Sequence, residues 1–238
     1  MKFTLPTVLS FNGGYVDTAG YLALQGLFTA HVTGNFVTIG AALVFGTSGV
    51  IAKLLALPVF CIIIIITRLV SFNLPGRDWP VLETMLTLKL LLLLGGGGLA
   101  IGLGPFRNGD AWPAILTGMV LVSAMAIQNA AHRIHLSSSP PTTLMTGTTT
   151  QLMIDAADAI RGLSPETRES TYQRMRHMSV AVLTFAVGAA AAALLFASVG
   201  TWCFVVPPVV ALIARNVARS LPRVPDSQSN DAKSMAPH

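Results

Sequence analysis

Charge is what this chain has least of. Of its 238 residues, 11% are Asp, Glu, Lys or Arg, less than half the roughly 25% of ordinary soluble domains. A chain so poor in charge cannot cover a globular surface with solvated groups. Cysteine is nearly absent too. Cys61 and Cys203 both fall inside apolar runs, which excludes a disulfide framework and, with no CxxC or His/Cys cluster, a metal centre. Both are expected to be buried structural thiols. Aromatics make up only 7%. The isoelectric point near 9.7 therefore does not point to nucleic acid, because no basic face interleaved with aromatics accompanies it. No nucleophile elbow, HExxH, Walker loop or GxGxxG occurs, so neither an enzyme nor a cofactor is expected. After Lys2 no clean apolar stretch precedes Asn12, Gly13, Gly14 and Asp17, and no cleavable signal peptide is expected.

Apolar length is what the chain has instead: 53% hydrophobic residues and a mean hydropathy of +0.66. A helix needs about 20 mostly apolar residues to cross a bilayer. Residues 53–72, 84–104, 112–131 and 178–200 meet this. Residues 202–218 form a shorter fifth run, with Pro207-Pro208 expected to kink it, and residues 5–28 a sixth, interrupted by polar groups. The fold class is thus all-α: a polytopic membrane protein of about six transmembrane helices plus two short broken or re-entrant segments, 31–46 and 143–160. The order of long run, short Thr-Gly segment, run and run occurs twice, with Thr33-Gly34 matching Thr146-Gly147 and Asp17 matching Asn129. This suggests a first membrane repeat over 1–108, a second over 109–223, and a disordered polar tail over 224–238.

Lys and Arg counts set the orientation. With re-entrant Thr-Gly segments, each half crosses three times, the halves are inverted, and most of the 15 Lys and Arg lie inside. With fully crossing segments the halves are parallel and the bias is nearly as good. Both arrangements put the C-terminus in the cytoplasm.

The polar residues inside apolar runs are the candidates for function. An interrupted helix in lipid is tolerated only within protein or beside a hydrated cavity. His31-Val32-Thr33-Gly34-Asn35 reads as a helix start, with Thr33 or Asn35 capping free N–H groups that line a polar centre. Short broken segments at matching places in two halves mark a transporter's central site. The plainer alternative is helix packing through small residues. Asp17, in GGYVDTAGYLAL, is a carboxylate at mid-span and so a candidate for binding a cation or a proton; the alternative is an interfacial cap. His31 could titrate with it or be a satisfied interfacial histidine. Gln128 and Asn129 place amides where the first half has a charge, making the site asymmetric. Lys89 is expected to snorkel, His132, Arg133 and His135 to be interfacial or loop residues, with an anion-attracting vestibule as the alternative, and Asp155 with Asp158 to pair with Arg161.

GYVDTAGYLAL, LFTAHVTGNFV, AIQNAAHRI and PTTLMTGTTTQL, in that order, resemble the YoaK family of small bacterial membrane proteins (DUF1275). The resemblance covers about residues 8 to 218. It implies an inner-membrane protein of about six helices and supplies no substrate. Thr148 departs from it, standing where the family often has Asn after Thr-Gly.

The expectation is a secondary transporter or permease for a small unknown solute, coupled to a proton or cation. Its site would comprise Asp17, His31, Thr33, Gly34, Asn35, Gln128, Asn129, Thr146 and Gly147. The expected partners are the lipid bilayer, that solute and a homo-oligomeric copy, without nucleic acid, metal or cofactor. A non-transporting assembly or stress-response protein is the alternative. The transporter needs both Thr-Gly segments to face a shared cavity. A third class, an intramembrane enzyme, needs Asp17 and His31 within about 3 Å of each other or of a shared water.

Overall fold

The computed structural model describes residues 4–73 and 81–220. The polar tail expected at 224–238 lies outside them. Among the described residues every regular element is helical. In chain order they are α1 (Leu5–Ala23), α2 (Asn35–Phe45), α3 (Val50–Asn73), α4 (Val81–Leu103), α5 (Trp112–His135), α6 (Met145–Arg161), α7 (Pro165–Val199) and α8 (Val206–Arg219). Short 3-10 turns, Val32–Gly34 and Gly200–Val205, precede α2 and α8.

Four stretches are long and apolar enough to cross a membrane: Val50–Phe72, Val81–Leu103, Trp112–His135, and Pro165–Arg219, which spans α7 and α8. Their outer faces carry large apolar side chains such as Ile62, Ile65, Leu91, Leu94 and Leu183, all exposed. Asn12, Asp17, Lys89 and Gln128 are buried instead. Water would penalise this arrangement and hydrocarbon favours it, and these apolar helices suggest a membrane protein.

Small residues bring the helices together. A Cβ at Gly14 would collide with the Phe185 carbonyl, and one at Gly188 with the Phe11 carbonyl, so α1 and α7 touch backbone to backbone. Ala19, Ala100, Ala124 and Ala192 are fully buried in the main core cluster. With no hydrophobic drive between helices in lipid, such close approach supplies the dispersion contact that holds them.

Named contacts fix the helix directions. Lys89 meets Gln128 and Gly96 meets Leu121, so α4 runs antiparallel to α5. Gln128 also meets the Leu9 carbonyl while Gly118 meets Leu27, so α1 is antiparallel to α5 as well. Asp110, just before α5, accepts the N–H groups of Gly49 and Ile51 at 2.8 Å each, which sets the start of α3 beside the start of α5. Tyr15 donates to the Cys203 carbonyl and Asn12 to that of Pro207, so α8 descends along α1. Gly104 packs on Thr201, so α7 ends where α4 ends. Hence α1, α4 and α7 point one way, and α3, α5 and α8 the other.

Several expectations need correction. The N-terminal helix stops at Ala23, because Gln25 and Gly26 take positive φ. Helix α7 starts at Pro165, well before residue 178, since its polar first turns are sound helix outside any apolar run. Pro207 and Pro208 do not kink a helix; they sit in the first turn of α8, where their missing N–H groups cost nothing. Cys203 is buried as expected, whereas Cys61 is exposed on the outer face of α3.

Candidate functional site

Helix α1 ends, and the chain then doubles back along it before α2. Asp17 holds this return. One carboxylate oxygen accepts the backbone N–H groups of Thr29 at 2.8 Å and Ala30 at 2.7 Å, with the Thr29 hydroxyl at 3.3 Å. Consecutive N–H groups turned on one anion form a nest. The other oxygen lies 2.6 Å from His31 Nδ1. Asp17 is 4% exposed, and its acceptor capacity is largely used inside the protein. His31 keeps Nε2 for the surroundings, with its ring edge-on to Phe185 of α7 at 5.7 Å between centroids.

Asn35 does not cap α2, and no side chain caps that helix. Its amide instead donates to the Phe28 carbonyl and accepts the Phe28 N–H, both at 2.9 Å, closing the return from within. Gly34 lets Phe28 pack against it, since a Cβ there would lie 3.1 Å from that ring.

A second return, before α6, is held by neutral groups. Asn129 Oδ1 accepts the Thr143 hydroxyl at 2.7 Å, across the same separation of 14 residues that joins Asp17 to His31. Gln128 Nε2 donates to the Leu9 carbonyl at 2.9 Å and to Thr142 Oγ1 at 3.1 Å. Helix α6 then begins at Met145, so Thr146 and Gly147 fall in its first turn rather than before it.

Two adjoining cavities lie against these returns. The smaller, about 360 Å³, is lined by His31, Thr33, Arg68, Asn129 and Arg133 among others. The larger, about 890 Å³, runs from His31 and Arg133 past Thr146 and Gly147 to Arg174 and His177 of α7. His31, Arg133 and Leu144 line both. The structure thus brings His31, Thr33, Asn129, Thr146 and Gly147 to cavity walls. Asp17, Gly34, Asn35 and Gln128 stand behind them and line neither cavity.

Lys89 is the residue that sequence reasoning misread. It does not snorkel: it is 0% exposed, and among the described residues its one hydrogen-bond partner is Gln128 Oε1. The available signal was depth, because eight residues from Val81 put its Cα about 12 Å along α4. His132 is buried rather than interfacial. Asp155 pairs with Arg174, whose Nε and Nη2 donate to its two oxygens at 2.7 Å each, and not with Arg161. That guanidinium holds the Asp155 carboxyl below the usual range against the opposing effect of burial, and Gln151 helps. Among the described residues no cluster of His, Cys, Asp or Glu fits a metal ion.

Residues 5–217 match the family described as "Protein of unknown function (DUF1275)". The chain belongs to this family. No curated protein and no solved structure matches it. The description of DUF1275 carries no assigned activity.

Proposed function

We propose that the protein is a secondary carrier for a small solute, built as two inverted repeats with three crossings each. The packing supports the repeat. Exchanging α1, α2, α3 and α4 with α5, α6, α7 and α8 turns the α1–α7 contact into α5–α3, α4–α5 into α8–α1, and α2–α3 into α6–α7, and each of these pairs packs together. Helices α1 and α5 run oppositely, so the repeats are inverted, and α2 and α6 are the outward legs of re-entrant segments. Arg161, Arg168, Arg176 and Arg219 gather at the end where α5 and α8 finish, and the positive-inside bias makes that end cytoplasmic.

The observation that carries the reading is that both Thr-Gly segments wall adjoining cavities joined by His31 and Arg133. Helix breaks beside a shared hollow are how carriers place a site between repeats. His31, oriented by Asp17, is the proton-exchanging group at the junction; Asp17 holds the loop and the ring.

The experiment is solute-driven proton flux in vesicles loaded with a pH dye, over a metabolite panel. At least one solute should produce flux in wild type that His31→Gln removes while the protein remains folded. Flux that survives His31→Gln unchanged would sink the coupling role, and a panel without response would sink the carrier.

A non-transporting scaffold is the second reading. It is favoured by Gly34, Asn35 and Gln128, which serve the loops and not the cavities. An intramembrane enzyme meets its distance criterion at Asp17 and His31, but that carboxylate is committed to the Thr29 and Ala30 N–H groups and the ring.

A further inference from the structure

We infer that the paired cavities bind an oxyanion, a carboxylate or phosphate group, with Arg133 as its anchor; this deepens the carrier reading and rests on it for the role of the site, though not for its existence. Charge is the first ground. Arg68, Arg133, Arg174, His31 and His177 line the two cavities, and among the described residues no carboxylate lines either one. Two acids stand behind lining residues: Asp155 is used on Arg174 and Gln151, and Asp17 on the loop N–H groups and the His31 ring. Arg68 lies over the Phe72 ring, 4.2 Å from its centroid. Arg133, shared by both cavities, has no ion-pair partner among the described residues. A guanidinium without a counter-ion at the junction of two hollows suits the planar two-oxygen face of a carboxylate or phosphate.

Backbone is the second ground. The first turn of the 17-residue α6 forms part of the larger cavity wall, and no side chain caps it. The Thr148 and Thr150 hydroxyls are turned back on the Leu144 and Thr146 carbonyls and leave the first-turn N–H groups unserved. Nothing stands within 4 Å of where a Gly147 Cβ would be, so the side of this first turn is open; free N–H groups at a helix start suit an anion. Ser138 and Ser139 add hydroxyls to the lining of the larger cavity.

The oxyanion is either a free solute or a lipid headgroup, and the test separates them. Full-length protein in phosphatidylcholine nanodiscs is titrated with inorganic phosphate, with succinate and with choline at fixed ionic strength, and thermal stability is followed. A second set of nanodiscs contains phosphatidylglycerol. Saturable stabilisation by phosphate or succinate, absent with choline, is expected. Arg133→Gln should weaken it about tenfold or more, and Arg133→Lys should restore part. Stabilisation by phosphatidylglycerol alone, lost in Arg133→Gln, keeps the oxyanion site but assigns it to lipid and removes the carrier. No response to phosphate, succinate or phosphatidylglycerol, or an Arg133→Gln response equal to wild type, overturns the inference. The carrier reading would survive that result if solute-driven proton flux still depended on His31. Should Arg133→Gln fail to fold, the Arg133→Lys titration decides alone, with unchanged affinity and geometry-independent binding counting against the site.

Discussion

Asp17 shows how one side chain can be functional in position and structural in its contacts. Its carboxylate satisfies two buried N–H groups and orients an imidazole. Asp17→Ala strands those donors at about 1–3 kcal/mol each, so the purified variant should show a clearly lower Tm, while Asp17→Asn, which keeps one acceptor, falls between. Equal melting of Asp17→Ala and wild type would show that the loop is held by something else. Lys89 gives the opposite case, a buried ammonium resting on an amide. Lys89→Met removes the charge and fills similar space, so Tm is expected to hold or rise. Gln128→Leu leaves the buried Lys89 donor without its acceptor and is expected to cost about 1–3 kcal/mol. The two melting curves should therefore move in different directions. The sequence exposed Asp17 and His31, because charge inside an apolar run is visible in one dimension. It hid Lys89's burial and Arg133's place at the cavity junction, because both depend on which helix lies alongside.

At the scale of elements, the apolar runs foretold α3, α4 and α5 to within a few residues at most ends, since lipid imposes length. They missed the first turns of α7, which lie outside the apolar run and are stabilised by helix propensity and by α6. The Asp155–Arg174 pair joins those two helices. The folded-state pKa of Asp155 is depressed, so the stability it supplies is complete above the ordinary Asp value near 3.9 and is lost as pH falls through the lower, native one. Wild-type Tm should therefore drop more steeply below about pH 4 than that of Asp155→Asn, whose curve lacks this contribution. Parallel curves would remove the pair from the account.

For the whole molecule, the order of segments suggested two repeats but could not choose between inverted and parallel halves. That choice depends on helix direction, which only contacts such as Asp110 to Gly49 reveal. The inverted arrangement predicts opposite labelling of two sites in a background where Cys61 and Cys203 are replaced by Ser. Asn108→Cys should react with an impermeant thiol reagent from outside the cell, and Ser138→Cys only after the inner face is opened. The reverse pattern, Ser138→Cys labelled from outside and Asn108→Cys only after the inner face is opened, would favour four crossings per half.

Helix α7 has 35 residues, about 52 Å of continuous rod, against roughly 30 Å of hydrocarbon. Its protruding end carries Ser170, Arg174 and His177; its middle carries Phe185, whose ring meets His31. Phe185 belongs to the glycine notch with α1, the point at which a tilting rod moves least. The ring against His31 would therefore stay still while the water-facing end with Arg174 swings: the histidine is mounted on the fulcrum and the arginine on the arm.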